Sequence, residues 1–330
     1  RASIMPDEHA ALYAYANAVM EPWDGPAAIA AYDGRWAIAG LDRNGLRPMR
    51  YAVTRDNILA VGSEAGMCPL DEENIVRKGR VRPGGMIAAD IQENKFYEHG
   101  AIIDKLAAEN PYLEWLENVK ELEPEIGPGP EPVAYSKEEL RRRQVAAGFT
   151  MEDMELILSP MIEDGKEAIG SMGDDSPLAV ISNTYRPLSH FFRQNFSQVT
   201  NPPIDPLRER YVMSLSTCIG REHNVFNETT GHADRVIFES PILMYTGLKQ
   251  LRELDAEHYR SDTLTLNYDP DEGLKAALER LCDEAEALVK EKDTVILVLS
   301  DRQIYPGLLP IPAALAVGAV QNRLVEKQLR

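Results

Sequence analysis

Two adjacent carboxylates and a hydroxyl, Asp174, Asp175 and Ser176, stand in GSMGDDSPLAVIS (170–182), just ahead of a run with buried-strand character. Such a pair can hold a cation, serve as acid and base, or cap and turn the approach to the strand. No third ligand is within reach in sequence, so turn chemistry is the favoured reading. In FFRQNFSQVTNPPIDPLRERYVMSLSTCIG (191–220), Gln194, Asn195, Gln198, Thr200 and Asn201 form a neutral polar cluster running into Pro202-Pro203. The prolines hold the backbone extended and stiff. A passage for a small polar molecule and a polar loop buttressing a domain interface fit this cluster equally well. LDRNGLRP (41–48) places Asp42, Asn44, Gly45 and Arg47 around an Asn-Gly turn. A hairpin turn whose arginines pair with nearby carboxylates is favoured there over direct contact with a substrate. Ser300-Asp301-Arg302 follows a buried apolar run, where open sheets place ligands, and Arg302 could take a small anion; a plain strand-end turn is the favoured reading.

Other chemistries are missing from the pattern. There is no GxxxxGK followed by Ser or Thr, no GxGxxG after a strand, no HExxH and no GxSxG. The six histidines lack ligand spacing, and Cys68, Cys218 and Cys282 are too scattered for a disulfide framework or a zinc module. With 35 Lys and Arg against 53 Asp and Glu the chain carries a charge of −18, which repels nucleic acid. The one dense basic run, Arg141-Arg142-Arg143, reads as a solvated helix face. The uncharged span near the C-terminus is interrupted by Pro306, Pro310 and Pro312, leaving Ala313 to Val320, too short to cross a bilayer. No metal and no membrane are expected. Both ends look cut, without initiator Met or signal pattern, and the expected location is cytoplasmic.

The elements that must position these residues divide into two textures. A helix is predicted over 5–21 from Leu12, Tyr15, Ala16 and Val19. From Ala27 to about Tyr97 short apolar runs (AAIAAY, RWAIAGL, RYAVT, ILAVGS, GMIAADI and a strand at 95–98) alternate with turn chemistry such as Asp33-Gly34 and Asn44-Gly45, predicting a β meander. A helix is expected over 102–118. ELEPEIGPGPEPVAY then marks an extended acidic connector, 119–135, that cannot bury much apolar surface. Beyond a helix near Ser136, buried-strand runs at 177–182, 235–240 and 294–300 alternate with helical patterns at 207–220, 241–254, 271–291 and 312–328. The fold class is therefore α+β followed by α/β, the second part an open, mostly parallel sheet.

EPWDGPA (21–27), DRNGLRP (42–48), GSE (62–64), KGRVRPG (78–84), GSMGDDSP, FRQNFSQVTNPPIDPLRE and LVLSDR (297–302) occur in an order that resembles the large subunits of bacterial glutamate synthases, over essentially the whole chain. The resemblance implies a multidomain iron–sulfur flavoprotein. An N-terminal class II glutaminase domain of the N-terminal-nucleophile (Ntn) type releases ammonia, which passes a central domain and reaches a flavin barrel. There it adds to 2-oxoglutarate, and the imine is reduced to glutamate. It further implies that residues 1–118 are the C-terminal part of an Ntn β-sandwich and 136–330 the central domain. FMN and a 3Fe–4S cluster belong to the downstream barrel, with no cofactor on this stretch, and a small NADPH-oxidising subunit is the partner. The sequence departs from the family's catalytic pattern: residue 1 is Arg, not Cys, and Asn44-Gly45 belongs to the later turn, not to the oxyanion segment. Amide hydrolysis needs an activated nucleophile and oxyanion donors. No catalytic residue is expected here; the expected role is scaffold and ammonia-tunnel wall, with Asp174, Asp175, Ser176, Thr200 and Asn201 at the tunnel or a domain interface. The rival reading is a non-catalytic α/β module that docks a small anion or a partner protein.

Overall fold

The computed structural model describes residues 5–20, 25–122, 134–165, 180–183, 186–192, 215–303 and 305–330. The chain divides into two compact units, one made of 1–120 with 222–235 and the other of 121–221 with 236–330.

The first unit opens with α1 (Asp7–Val19), which buries Ala11, Tyr15 and Ala18 at helical spacing. Strands β1 (Ala28–Tyr32), β2 (Trp36–Leu41), β6 (Met86–Asp90) and β7 (Lys95–Tyr97) form an antiparallel sheet in the order β1-β2-β6-β7. Strands β3 (Arg50–Thr54), β4 (Leu59–Gly62) and β5 (Ile75–Arg80) form a second one, β4-β3-β5. The Asp33-Gly34 turn is a true hairpin: Asp33 Oδ1 accepts the N–H groups of Arg35 and Trp36, and Gly34 adopts φ +101°. Asn44-Gly45 is not. β2 and β3, which it joins, lie in different sheets, so the predicted hairpin is corrected to a crossover between sheets.

Strand β5 escapes the sequence reading because Arg77, Lys78 and Arg80 give it no apolar alternation. It exists because Tyr51 stands opposite Gly79 in register, and a side chain on Gly79 would lie 2.5 Å from the Tyr51 ring. The ring covers the bare position, and Tyr51 Oη donates to Glu98 Oε1 at 2.9 Å. The helix expected at 102–118 begins earlier and breaks: α2 is His99–Ala107, and α3 (Tyr112–Trp115) follows Pro111.

In the second unit β8 (Lys120–Glu121), α4 (Lys137–Ala146) and α5 (Ser159–Asp164) precede a short sheet in the order β8-β10-β9, with β9 at Thr217–Gly220 and β10 at Arg235–Phe238. Two predictions fail here. Val180 and Ile181 are turn residues, 81% and 95% exposed, not part of a buried strand. Residues 217–220, expected to end a helix, are strand β9. Both errors arise from reading a short apolar run as an element without knowing its partners.

Helices α6 (Tyr245–Arg252) and α7 (Ala256–Tyr259) lead into β11 (Ser261–Thr265) and β12 (Asn267–Tyr268). Next come α8 (Leu274–Lys292), β13 (Ile296–Ser300), β14 (Leu309–Pro310) and α9 (Ala313–Glu326). β11 and β13 are parallel; β12 and β14 are antiparallel. The core joins Leu264 and Leu266 to Ala277, Leu281 and Ala285 of α8 and to Ala316, Val320 and Leu324 of α9. In both helices buried residues recur every fourth position, and Asp293 ends α8 in the left-handed conformation.

Candidate functional site

The DRNGLRP turn is organised by Asp42. Its Oδ2 accepts the N–H groups of Asn44 and Gly45 at 3.0 Å each, its Oδ1 accepts Ala27 N–H at 3.2 Å, and its carbonyl accepts Gly84 N–H at 2.8 Å. Gly45, at φ +60°, lies against Pro83 so closely that a Cβ would sit 2.6 Å from Pro83 Cγ. Thus Asp42 and Gly45 lock one family segment onto another, RPG (82–84), within the first unit. Arg47 is exposed and makes no ion pair among the described residues.

A second cluster in the same unit had no sequence signal. Tyr112 Oη and Asn110 Nδ2 both donate to Glu228 Oε2 at 2.7 Å. Tyr15 Oη donates to Thr229 C=O at 2.8 Å and accepts Thr229 N–H at 3.0 Å. The Tyr15 ring packs 5.0 Å from Tyr112 and 5.3 Å from Trp115. His232 is fully buried, with Nε2 at 3.0 Å from the Asn227 carbonyl, so that nitrogen carries the proton. Burial, with the Glu228 carboxylate alongside, pushes the Tyr112 phenol up to about 12. The hydroxyls of Tyr15 and Tyr112, the Asn110 amide and the Glu228 carboxylate all face structural partners, while His232 Nδ1 is buried without a hydrogen-bond partner among the described residues; the cluster holds 222–235 against α1 and α3.

In the second unit, Arg302 lies two residues past β13, its guanidinium 5.6 Å from the Tyr245 ring and its backbone N–H directed at Ser300 Oγ at 3.4 Å. It lines a cleft of about 350 Å³ with Arg252, Thr263, Thr265, Ser300 and Gln303. Asp174, Asp175, Ser176, Thr200 and Asn201 lie outside the described residues.

Cys282 does not suit an iron–sulfur cluster. Cys282 is buried in the α8 core, where burial pushes its thiol up, opposite to what a thiolate ligand needs. Among the described residues, the side chains able to converge on a metal are Asp255, Glu257 and His258, which include no cysteine. Asp255 is engaged in capping α7 through Glu257 N–H at 3.1 Å. The described strands close into no barrel.

The first unit thus holds two antiparallel sheets, and the second mixes helices with short sheets that include one parallel strand pair. Residues 1–115 match class-II glutamine amidotransferases and 142–330 match the glutamate synthase central domain, and the chain belongs to the glutamate synthase family. It is 49% identical over 329 residues to the glutamate synthase (NADPH) large chain of Azospirillum brasilense, covering 98% of this chain and 22% of that one. The corresponding large chain of Bacillus subtilis is 38% identical over 332 residues, covering 99% and 21%. A chloroplastic ferredoxin-dependent glutamate synthase of Oryza sativa subsp. japonica is 41% identical over 325 residues, covering 96% and 20%. The chain thus spans about a fifth of the length of these relatives. Segment 222–235 falls inside the central-domain match yet packs in the first unit.

Proposed function

We propose that this chain is the stretch of a glutamate synthase large chain that joins the end of the glutaminase domain (1–118), through a connector (119–135), to the central domain (136–330), and that it walls the route taken by ammonia. The whole enzyme in this reading turns glutamine, 2-oxoglutarate and a reductant into two glutamates. The observation that carries the reading is the order of the two matches on one chain, 1–115 followed by 142–330, together with relatives aligned over nearly all of it. The finer architecture is the tail of an Ntn β-sandwich ahead of an open, mostly parallel α/β domain. The two antiparallel sheets of the first unit and the parallel β11/β13 pair of the second support it. FMN and the 3Fe–4S cluster fall to the flavin barrel downstream, electrons to a small NADPH-oxidising subunit, and the location is cytoplasmic.

Asp174, Asp175, Ser176, Thr200 and Asn201 line or border the passage. Ammonia must travel unprotonated, because ammonium does not partition into a low-dielectric bore, and short polar side chains on stiff backbone suit that task better than flexible lysines. In the complete large chain, Thr200→Val combined with Asn201→Leu lowers glutamine-dependent glutamate formation severalfold. Ammonium-dependent formation stays within about twofold, because the chemistry of the flavin site is untouched. The 330 residues alone release no ammonia from glutamine in the same assay. Unchanged glutamine-dependent rates in the variant, or ammonia released by the isolated chain, refutes the assignment.

A further inference from the structure

The parallel register sets Thr263 beside Val298 and Thr265 beside Ser300. With a side-chain period of two, the hydroxyls of Thr263, Thr265 and Ser300 share one face of the pair, while Leu264 is buried on the other. Helix α6 packs against β11 and contributes both of its ends: Tyr245, its first residue, backs the Arg302 guanidinium, and Arg252 lies in its last turn. The result is the cleft of about 350 Å³ at the carboxyl end of the two strands.

Three properties give the cleft a ligand class. Among the described residues its lining holds two guanidiniums, three hydroxyls and one amide, and no carboxylate, in a chain with 53 Asp and Glu against 35 Lys and Arg. Neither Arg252 nor Arg302 is ion-paired among the described residues, whereas Arg35, Arg221, Arg280 and Arg323 are. The carboxyl ends of parallel strands are where open α/β sheets bind ligands. We propose that this cleft binds a small doubly charged oxyanion, a phosphate or a dicarboxylate, held between Arg252 and Arg302 with the Thr265 and Ser300 hydroxyls donating to it. Guanidiniums match the oxygens of both anions through paired N–H donors, and hydroxyls rotate to supply the remainder. The inference is independent of the ammonia route, which involves other residues.

Isothermal titration of the complete large chain with inorganic phosphate, and separately with succinate, tests it. Expected is saturable binding of at least one anion, weakened at least about tenfold by Arg302→Gln and by Arg252→Gln, abolished in the double variant, and unaltered by Arg141→Gln on the exposed face of α4. Which anion saturates distinguishes the two sources. Arg302→Lys keeps charge and stem but loses the fork, and is expected to bind with intermediate affinity; it serves as the readout should the glutamine variants melt early. A wild-type chain that binds neither anion, or a double variant that binds as wild type does, overturns the proposal.

Discussion

Tyr112 shows how much one side chain can report. Its phenol is buried, bonded to Glu228, and titrates near 12 in the folded chain against about 10 in an unfolded one. Below pH 10 both states keep the proton and the difference contributes nothing. Above it the unfolded chain ionises first, so stability falls between about pH 10 and 12. Tyr15 and Tyr51, also raised mainly by burial, add slopes of the same sign. The expected outcome for Tyr112→Phe is a smaller drop in the urea midpoint between pH 8 and pH 11 than wild type shows, with some drop remaining from Tyr13, Tyr15 and Tyr51. An identical drop would mean that Tyr112 ionises as freely folded as unfolded.

Among the elements, the docking of the 42–45 turn onto 82–84 gives a graded test. Gly45 and Gly84 both have positive φ, +60° and +64°, so alanine strains the backbone at either. Only Gly45 also faces a close neighbour, Pro83 at 2.6 Å from the added Cβ, whereas at Gly84 the nearest atom is at an ordinary 3.7 Å. Gly84→Ala is expected to destabilise by about 1 kcal/mol and Gly45→Ala by about 2–3 kcal/mol, read as unequal falls in Tm. Equal falls would show that the turn moves away from Pro83 without loss. The pairing of Tyr51 with Gly79 follows the same logic on a strand: a bare position is kept because a ring from the next strand fills it.

At the scale of the whole molecule, β1 is the edge of its sheet, and all five of its residues are exposed, with Ile29 at 53% and Tyr32 at 65%. An apolar strand edge with unpaired backbone groups is a template for association. The 330-residue chain is therefore expected to associate with rising concentration in light scattering, and Ile29→Lys to reduce that association. A wild-type chain that stays monomeric at high concentration would contradict this.

The sequence by itself determined whatever depends on local spacing. The helical patterns at 271–291 and 312–328, the Asp33-Gly34 turn and the family segments were all legible, because helical periodicity and turn chemistry reside in a few consecutive residues. The tertiary structure decided what depends on a distant partner. Gly79 makes β5 a strand only because Tyr51 covers it, and Glu228 joins the first unit only because Tyr112, 116 residues away, points a hydroxyl at it. Arg252 reached the Arg302 cleft by the same kind of long-range placement. No window of sequence contains both halves of such a contact, so its chemistry appears only when the chain is folded.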